Sequence, residues 1–375
     1  MNRRNYGKFV LLVAWLAFSW CVAVEALTKP PFVPRRAFLG TTAASSVAVL
    51  LSGNIAPATA AGPQLYTPPV SLTDKTILIT GGNTGLGLES AQRLAAAGAT
   101  VIVTTRTDAK GQQAVADIQD YLRNVGVTND RVSFRTLDLC SLQQVQEVAK
   151  SLVDSNVKID VLMNNAGVMA IPERQLTTDG FERTFETNHL GHFVWTAKLV
   201  PALKNDARII NVSSTAYQFA SKHGLEPDNL NGEREYGPWA SYGQSKLANI
   251  LFSQELQRRA DAANKRYTVS ALHPGAVATD LGRYLVGEEK WNRMKTEGMT
   301  LTEKLLFVPL SKFTKTVPEG ANTQIFVAAD PTATQPGAYY EDCKVKSLPP
   351  FARDPIAAQK LWELSEQMSG VKFAW

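Results

Sequence analysis

Cysteine and histidine are both scarce in this chain of 375 residues. The three cysteines, Cys21, Cys140 and Cys343, lie far apart, and no Cys-x-x-Cys motif occurs. The four histidines do not cluster with acids or cysteines at the spacing of metal ligands. They are His189, His192, His223 and His273. The sequence therefore predicts neither a metal site nor a redox dithiol, and we interpret the histidines as core or supporting residues.

An excess of charge of one sign is also lacking once residues 1–61 are set aside. Of the 39 basic and 34 acidic side chains, that segment holds six and one, which leaves 33 of each. The main part of the chain thus has no basic bias, which argues against nucleic-acid binding. With 45% hydrophobic and 19% charged residues, the composition is typical of a globular protein with a sizeable core.

The first 61 residues have the features of a targeting leader. Arg3, Arg4 and Lys8 precede an apolar run over residues 9–24, with small residues suited to cleavage near Ala26. This order is typical of a secretory signal peptide. The run is 16 residues long, which is short for a membrane-spanning helix.

A second targeting unit follows the first. Arg35 and Arg36 precede a mild apolar stretch over residues 43–55, and Ala-Thr-Ala-Ala ends it at 58–61. Twin arginine, apolar core and small-residue site are similar to a twin-arginine export signal. In tandem, the two units resemble the multipartite leaders of proteins sent to complex plastids, which predicts the thylakoid lumen or a plastid membrane surface. The alternative is a single N-terminal anchor on the endomembrane route.

The segment after the leader begins with a nucleotide-binding pattern. Residues 62–71 are interpreted as a linker, and residues 72–375 as a single domain. Thr76–Thr80 is a short apolar run typical of a buried strand. A glycine-rich turn at 81–87 follows, and a helical pattern covers Glu89–Ala97. Glycine lets the backbone approach a pyrophosphate, and the helix N-terminus favours negative charge. Strand, glycine turn and helix together predict dinucleotide binding.

The end of the second predicted strand, Thr100–Thr105, indicates which nicotinamide cofactor binds. An acid at this position usually binds a free 2′-hydroxyl, whereas a 2′-phosphate requires arginine. Here Arg106 follows the strand, Lys110 lies nearby, and Asp108 comes after the arginine. The sequence therefore predicts NADP(H).

Strands and helices alternate along the rest of this half, which predicts a doubly wound, mainly parallel sheet with helices on both faces. The predicted helices cover 110–124, 142–154 and Glu182–Lys204, the last as one continuous helix. The predicted strands are Val132–Leu137, Ile159–Met163, Arg208–Ser214 and Val269–His273. Asp138 and Leu139 follow the third strand, where an acid can bond the adenine amino group.

A phenol and an ammonium lie four positions apart at Tyr242 and Lys246, within an apolar period that predicts a helix. On a helix this spacing places the two side chains on one face. A fixed cation lowers the pKa of a phenol, and a shift of about 3 units needs about 4 kcal/mol. We predict that Lys246 and an oxidised nicotinamide supply it. Ser214 ends a strand and faces the same crevice, and Asn188 is a candidate to hold a water in a proton relay.

Taken in order, these motifs resemble those of the short-chain dehydrogenases/reductases. They are Thr80-Gly81-x3-Gly85-x-Gly87, Asn164-Asn165-Ala166-Gly167, Asn188, Ser214, Tyr242-x3-Lys246 and Pro274-Gly275. Four further stretches, at 188–193, 245–252, 337–343 and 361–365, are similar to the retinol dehydrogenase and WW-domain oxidoreductase branch. The resemblance covers roughly residues 72–370 and implies a Rossmann-type α/β domain with a seven-stranded sheet.

The resemblance also implies a role for each site residue. Tyr242 would protonate the carbonyl oxygen or take the alcohol proton, Ser214 would bond that oxygen, and Lys246 would hold the nicotinamide ribose. Asn188 would support a water chain to Lys246. The cofactor-binding set would be Thr80, Gly81, Asn83, Gly85, Leu86, Gly87, Arg106, Asp138, Leu139, Asn165, Ala166, Gly167, Tyr242, Lys246, Pro274, Gly275 and Thr279.

The function expected from these features is hydride transfer between NADP(H) and a lipophilic carbonyl or alcohol, such as a retinal-like, apocarotenoid or lipid aldehyde. Residues 216–241 and the amphipathic segment at 281–316 are expected to border the substrate entrance. Two alternatives stay open: an NADP(H)-sensing plastid regulatory protein, and an enzyme similar to protochlorophyllide reductase. Peripheral membrane contact and a homodimer are further expectations; a nucleic-acid partner is not expected.

Overall fold

A computed structural model of the chain describes residues 65–220, 224–277, 287–298, 300 and 314–375. The predicted leader, Thr279 and most of the predicted segment at 281–316 lie outside the described residues. Within the described part, eight strands form one sheet. They are β1 Thr76–Thr80, β2 Thr100–Thr105, β3 Val132–Thr136, β4 Ile159–Asn164, β5 Leu203–Val212, β6 Thr268–Leu272, β7 Tyr339–Glu341 and β8 Lys344–Val345.

The strand order is β3-β2-β1-β4-β5-β6-β7-β8, and every neighbouring pair except the last is parallel. This confirms the predicted doubly wound α/β class. The predicted count of seven strands was one too few, because β8 pairs antiparallel with β7. The turn between them has positive φ at Asp342 (51°) and Cys343 (57°), as tight hairpins require. A strand of two residues leaves no hydrophobic pattern that a sequence analysis can detect.

Helices cover both faces of the sheet. Their bounds are α1 Gly85–Ala96, α2 Asp108–Asn124, α3 Leu142–Asp154, α4 Arg183–Phe185, α5 Gly191–Leu199, α6 Pro238–Ala262, α7 Glu288–Thr296, α8 Val317–Ala329 and α9 Pro355–Ser369. Successive side chains of a strand point to opposite faces of the sheet. Alternate residues of the strands therefore pack in two separate hydrophobic cores, one on each face. Leu78 packs with α3, α5, α6 and α9, whereas Ile77 and Ile79 pack with α1, α2 and α8.

The predicted continuous helix Glu182–Lys204 is wrong in the structure. A π-helical turn, Glu186–Leu190, separates α4 from α5, and a 3₁₀ turn at Val200–Ala202 follows. Pro201 cannot donate a backbone hydrogen bond, so the α-helix ends at Leu199. Leu203 then pairs with Ile159 as the first residue of β5. The break matters for the site because Asn188 lies in the π-helical turn.

Tyr66 binds the segment before β1 to the helices α1 and α8. Its backbone N–H donates to Asn322 Oδ1 (2.9 Å), and its hydroxyl donates to Asp330 Oδ2 (2.8 Å). Arg93 of α1 donates to the Tyr66 carbonyl, and the Tyr66 ring meets that of Phe326 edge-on at 5.5 Å. Part of the predicted linker is therefore packed against α1 and α8.

Candidate active site

The glycine-rich turn after β1, residues 81–87, leaves a concave space that side chains would fill. We call this space the glycine cradle. Gly81 has φ of +67° and Gly85 has φ of +55°, a region that favours glycine. A Cβ on Gly81 would lie 3.0 Å from Ala166 Cα, and one on Gly87 would lie 2.4 Å from the Gly81 carbonyl oxygen. The turn, which includes Asn83 and Leu86, leads into α1, whose first N–H groups and dipole favour a phosphate. The chain thus fits a dinucleotide pyrophosphate here.

Thr80 and Asn165 support this turn from inside the protein. Thr80 is completely buried, and its Oγ1 accepts the N–H groups of Asn165 (2.9 Å) and Ala166 (3.0 Å). Asn165 Nδ2 donates to the Thr80 carbonyl (2.8 Å), and its Oδ1 accepts from Gln324 Nε2 (3.0 Å). The Thr80 hydroxyl thus joins β1 to β4, and the cofactor contact predicted for Thr80 stays a prediction.

Arg106 lies exposed at the end of β2, as its position in the sequence predicts. Asp108, the acid that could compete for a ribose, starts α2 and accepts a hydrogen bond from Thr136 at the end of β3. Thr107 caps the same helix by accepting from the Lys110 N–H (3.4 Å). Asp108 is thus turned toward β3, and Arg106 is the charged group that remains at the β2 end.

Asp138 and Leu139 occupy the predicted adenine side. Asp138 Oδ1 accepts the Cys140 N–H (3.0 Å), and its own N–H donates to Gln144 Oε1 (2.7 Å). A cavity of about 630 Å³ borders Asp138 and Cys140. Leu139 is buried, and a Cβ on Gly191 would lie 2.6 Å from its carbonyl oxygen. Hydrogen bonds from backbone N–H groups therefore hold this loop in place, and Asp138 borders the cavity.

Tyr242 and Lys246 meet on α6 as predicted. Lys246 Nζ lies 5.6 Å from the centroid of the Tyr242 ring and donates to the Val212 carbonyl at the end of β5 (3.0 Å). The Ser214 side chain lies close enough to Tyr242 to act on the pKa of its phenol. Ser214 Oγ accepts the Ala216 N–H (3.2 Å), which caps a 3₁₀ turn at Thr215–Phe219. Phenol, ammonium and hydroxyl are thus together at the carboxyl edge of the sheet.

Burial dominates the proton affinities of this pair. It raises the pKa of Tyr242 to about 12, and the nearby Ser214 side chain opposes that shift. Burial likewise lowers the pKa of Lys246 to about 8. The predicted lowering of the Tyr242 pKa by Lys246 is therefore not found in the chain alone. The physical reason is that desolvation disfavours both the phenolate and the ammonium.

Asn188 is buried in the π-helical turn, next to Gly167. Its Nδ2 donates to Ser245 Oγ (2.9 Å) and to the Val168 carbonyl (2.9 Å), and its Oδ1 accepts the Val168 N–H (2.8 Å). A Cβ on Gly167 would lie 3.0 Å from that oxygen and 3.4 Å from Lys246 Nζ. Both amide protons of Asn188 are used within the protein, and its predicted support of a water chain stays a prediction.

Pro274 and Gly275 follow β6 at the same edge. Gly275 has φ of +94°, and its N–H donates to His273 Nδ1 (3.0 Å). Lys315 lies over the turn, since a Cβ on Gly275 would be 3.0 Å from its Cδ. The Lys315 N–H donates to the Ala276 carbonyl (2.7 Å). Thr279, the remaining predicted residue of this loop, lies outside the described residues.

Sequence reasoning missed Gln324 and Lys315 as supports of the site. Each contacts a predicted motif from a distant part of the chain or through the backbone, so no local spacing could indicate it. Among the described residues, no group of three or more His, Cys, Asp or Glu side chains is arranged to hold a metal ion.

Comparison with known proteins identifies the family that has this site. The family model described as short chain dehydrogenase matches residues 75–225. Retinol dehydrogenase 14 of Mus musculus is 39% identical over 312 residues, which cover 81% of this chain and 88% of the relative. The chain belongs to the short-chain dehydrogenases. Within that oxidoreductase family it lies in the retinol dehydrogenase branch, and the family binds a nicotinamide cofactor.

Other members of the family extend this placement. Short-chain dehydrogenase TIC 32 A, chloroplastic, of Brassica napus is 36% identical over 299 residues, which cover 77% of this chain and 87% of the relative. A solved structure of an uncharacterised protein from Mycobacterium paratuberculosis has a TM-score of 0.63 and 31% identity, over 83% of this chain and 100% of that one. A short-chain dehydrogenase of Burkholderia cenocepacia, solved in complex with NADP, shares the fold at a TM-score of 0.51 and 22% identity; it covers 72% of this chain and 96% of that one.

Proposed function

We propose that this short-chain dehydrogenase transfers a hydride between NADP(H) and the carbonyl or alcohol group of a lipophilic small molecule. One observation carries the proposal. Tyr242 is buried, and its phenol lies near Ser214 and beside Lys246, at the sheet edge where the glycine cradle lies. This is a proton donor with an oxygen-binding partner next to a dinucleotide site.

The chemistry follows from the states of these side chains. A nicotinamide cofactor, when bound, supplies or accepts the hydride. In the reductive direction Ser214 would hold the substrate oxygen and Tyr242 would donate a proton to it. A pKa of about 12 keeps Tyr242 protonated at neutral pH, which suits a donor. In the oxidative direction Tyr242 would have to be a phenolate in order to accept the alcohol proton, and a cationic Lys246 would favour that phenolate.

Arg106 supports the choice of NADP(H) over NAD(H). Its guanidinium is exposed at the β2 end, where the ribose of a dinucleotide lies in this fold. Arginine binds phosphate through paired, charge-assisted hydrogen bonds. Asp108 accepts a hydrogen bond from Thr136, so its carboxylate is directed toward the end of β3.

Aromatic side chains support a lipophilic substrate. Trp239 precedes Tyr242 by three residues on α6, and its ring lies 6.2 Å from the Tyr242 ring. Phe219 lies 5.8 Å from Trp239, and both rings are partly exposed. Lys246, which is proposed to hold the nicotinamide ribose, lies one turn further along the helix than Tyr242. The aromatic pair therefore lies on the opposite side, toward which the apolar part of a substrate would extend.

The relatives also bear on the compartment and on a second candidate function. The Brassica napus proteins are named chloroplastic, which supports a plastid location for this chain. No helix among the described residues is both long and apolar enough to cross a bilayer. An NADP(H)-sensing role remains the second candidate, but sensing requires no proton donor, so the assembled Ser214, Tyr242 and Lys246 favour turnover. Gly243, Gln244 and Ser245 between tyrosine and lysine differ from the Lys-Asp-Ser typical of protochlorophyllide reductases.

The test is a turnover assay with the purified chain and NADPH against all-trans-retinal, an apocarotenal and a long 2-alkenal. We expect NADPH oxidation with at least one of these aldehydes. Tyr242→Phe should lose about 10²–10⁴-fold in kcat, since it removes the proton donor, while NADPH binding persists. The sensor function would be favoured by a different result. In that case the wild-type chain would bind NADPH without reducing any of the aldehydes, and the Tyr242→Phe variant would behave in the same way.

A further inference from the structure

His192 lies between the glycine-rich turn after β1 and the π-helical turn that contains Asn188. It is the second residue of α5, and its side chain is 1% exposed. Its Nε2 lies 2.8 Å from Thr80 Oγ1, and its Nδ1 lies 3.1 Å from the Asn188 carbonyl oxygen. One imidazole thus bridges the end of β1 and the π-helical turn.

The direction of these hydrogen bonds follows from the donors around Thr80. Its Oγ1 accepts two N–H groups, from Asn165 and Ala166, so its own proton must go elsewhere. Two acceptors are near: His192 Nε2 at 2.8 Å and the Met163 carbonyl at 3.5 Å. The shorter distance assigns the Thr80 proton to Nε2. Nδ1 then carries the imidazole proton and donates it to Asn188.

Complete burial agrees with this neutral tautomer. It lowers the pKa of His192 to about 4, with Lys246 acting in the same direction. The ring therefore holds one proton at neutral pH, and each nitrogen has a single role. The result is a chain of hydrogen bonds in which every group donates in the same direction. It runs from the N–H groups of Asn165 and Ala166 through Thr80 and His192 to the Asn188 carbonyl.

The two ends of this chain control different halves of the site. At one end, Thr80 and Ala166 border the cradle, since a Cβ on Gly81 would touch Ala166 at 3.0 Å. At the other end, Asn188 bonds Ser245, the residue directly before Lys246. A change in the spacing of either turn would therefore be passed to the other through the imidazole.

We propose that His192 is a positioning residue that couples the seating of the nicotinamide cofactor to the alignment of Lys246 with Tyr242. The inference rests on the proposed function. It differs from an ordinary core role because it requires the Thr80 hydroxyl and the His192 ring to act as one unit. Removing either should break the whole chain, and removing both should cost little more.

A double-mutant cycle tests this unit. The variants are His192→Leu, Thr80→Val and the two combined, with Thr80→Ser keeping the hydroxyl and His192→Gln keeping one donor. We expect each of the first two to lower kcat/KM about tenfold and to raise the Kd for NADPH. The double variant should fall about tenfold, not a hundredfold, because interacting residues are not additive. Thr80→Ser should recover most of what Thr80→Val loses.

His189→Leu is the matched control. His189 is equally buried and lies three residues away, but its Nε2 bonds Ser365 of α9 at 2.9 Å. It should lower the Tm and leave the pH profile of kcat/KM in place, and its losses should be additive with those of Thr80→Val, because its hydrogen bond goes to Ser365. The His192→Leu and Thr80→Val variants should instead move the alkaline limb of that profile, because they disturb the Lys246 environment. If His192→Leu does not fold, Thr80→Val, Thr80→Ser and His192→Gln carry the same comparison.

Three results would overturn the inference: additive losses in the double variant, a His192→Leu variant that behaves like His189→Leu, or a Thr80→Ser variant as impaired as Thr80→Val. The affinity for NADPH, measured by nicotinamide fluorescence, reports the coupling between His192 and Thr80 and does not require turnover. A wild-type chain that binds NADPH but reduces no aldehyde would therefore refute the proposed function, while the affinity cycle would still decide on His192.

Discussion

Replacing Lys246 with methionine should stabilise the fold while it abolishes catalysis. Burial lowers the pKa of Lys246 from 10.5 to about 8. At 1.36 kcal/mol per unit, keeping the ammonium charged inside the protein costs about 3 kcal/mol at pH 7. Methionine removes this cost and fills a similar volume. It also loses the hydrogen bond to the Val212 carbonyl, worth about 1 kcal/mol, but Asn249 Nδ2 still donates to that oxygen at 3.2 Å. The expected net gain is about 2 kcal/mol.

The pH dependence distinguishes this mechanism from better packing. A lowered folded-state pKa means that the folded chain binds fewer protons than the unfolded chain between about pH 8 and pH 10.5. Wild-type stability therefore rises through that window relative to the variant, and the cost is largest and constant below pH 8. The advantage of Lys246→Met should shrink by about 2 kcal/mol between pH 7 and pH 9.5.

The measurement is urea unfolding of the wild type and of Lys246→Met at both pH values, without cofactor. Lys360→Met, at an exposed position of α9, makes the same chemical change and should show no pH-dependent difference. A variant that is less stable than the wild type at pH 7, or an advantage that does not change with pH, would refute the assignment of Lys246 as a desolvated cation.

Two further predictions concern selectivity. Arg106→Asn should lower the ratio of kcat/KM for NADPH to that for NADH by about 10–100-fold, because charge-assisted hydrogen bonds to a 2′-phosphate are worth about 1.5–3 kcal/mol; an unchanged ratio would mean that the side chain does not contact that phosphate. Trp239→Leu should lower kcat/KM about tenfold for a conjugated aldehyde and much less for a saturated one of equal length, since ring contacts add about 0.5–1.5 kcal/mol. Trp375→Leu, at the exposed C-terminus, is the matched control, and equal losses with both aldehydes would exclude a selective contact.

Features that depend on local pattern were predictable from the sequence. The buried strands β1, β2 and β4 are nearly continuous apolar runs, and parallel strands covered on both faces require such runs. The Tyr242 and Lys246 spacing has meaning only on a helix, and α6 provides that helix. Gly81 and Gly85 could be assigned to the turn because positive φ and close backbone contact both exclude side chains.

Features that depend on tertiary contact or desolvation were not predictable. The apolar residues that surround the π-helical turn continue the helical pattern, so nothing in the sequence marks the break at Glu186–Leu190. Gln324 and His192 meet their partners across more than a hundred residues, at Asn165 and Thr80. The sequence shows that Lys246 lies near Tyr242, but only the fold shows that both are almost fully buried, which reverses the expected direction of the Tyr242 pKa.

The packing of Tyr66 would limit where the predicted leader could be removed. A peptidase that cuts after Ala61 would leave four residues ahead of this tyrosine. A cut only five residues further on would remove the carbonyl that accepts from Arg93 and the phenol that donates to Asp330. Arg93 is almost wholly enclosed, so its guanidinium would lose an acceptor that water could not easily replace. Removal of the predicted leader would therefore have to spare Tyr66.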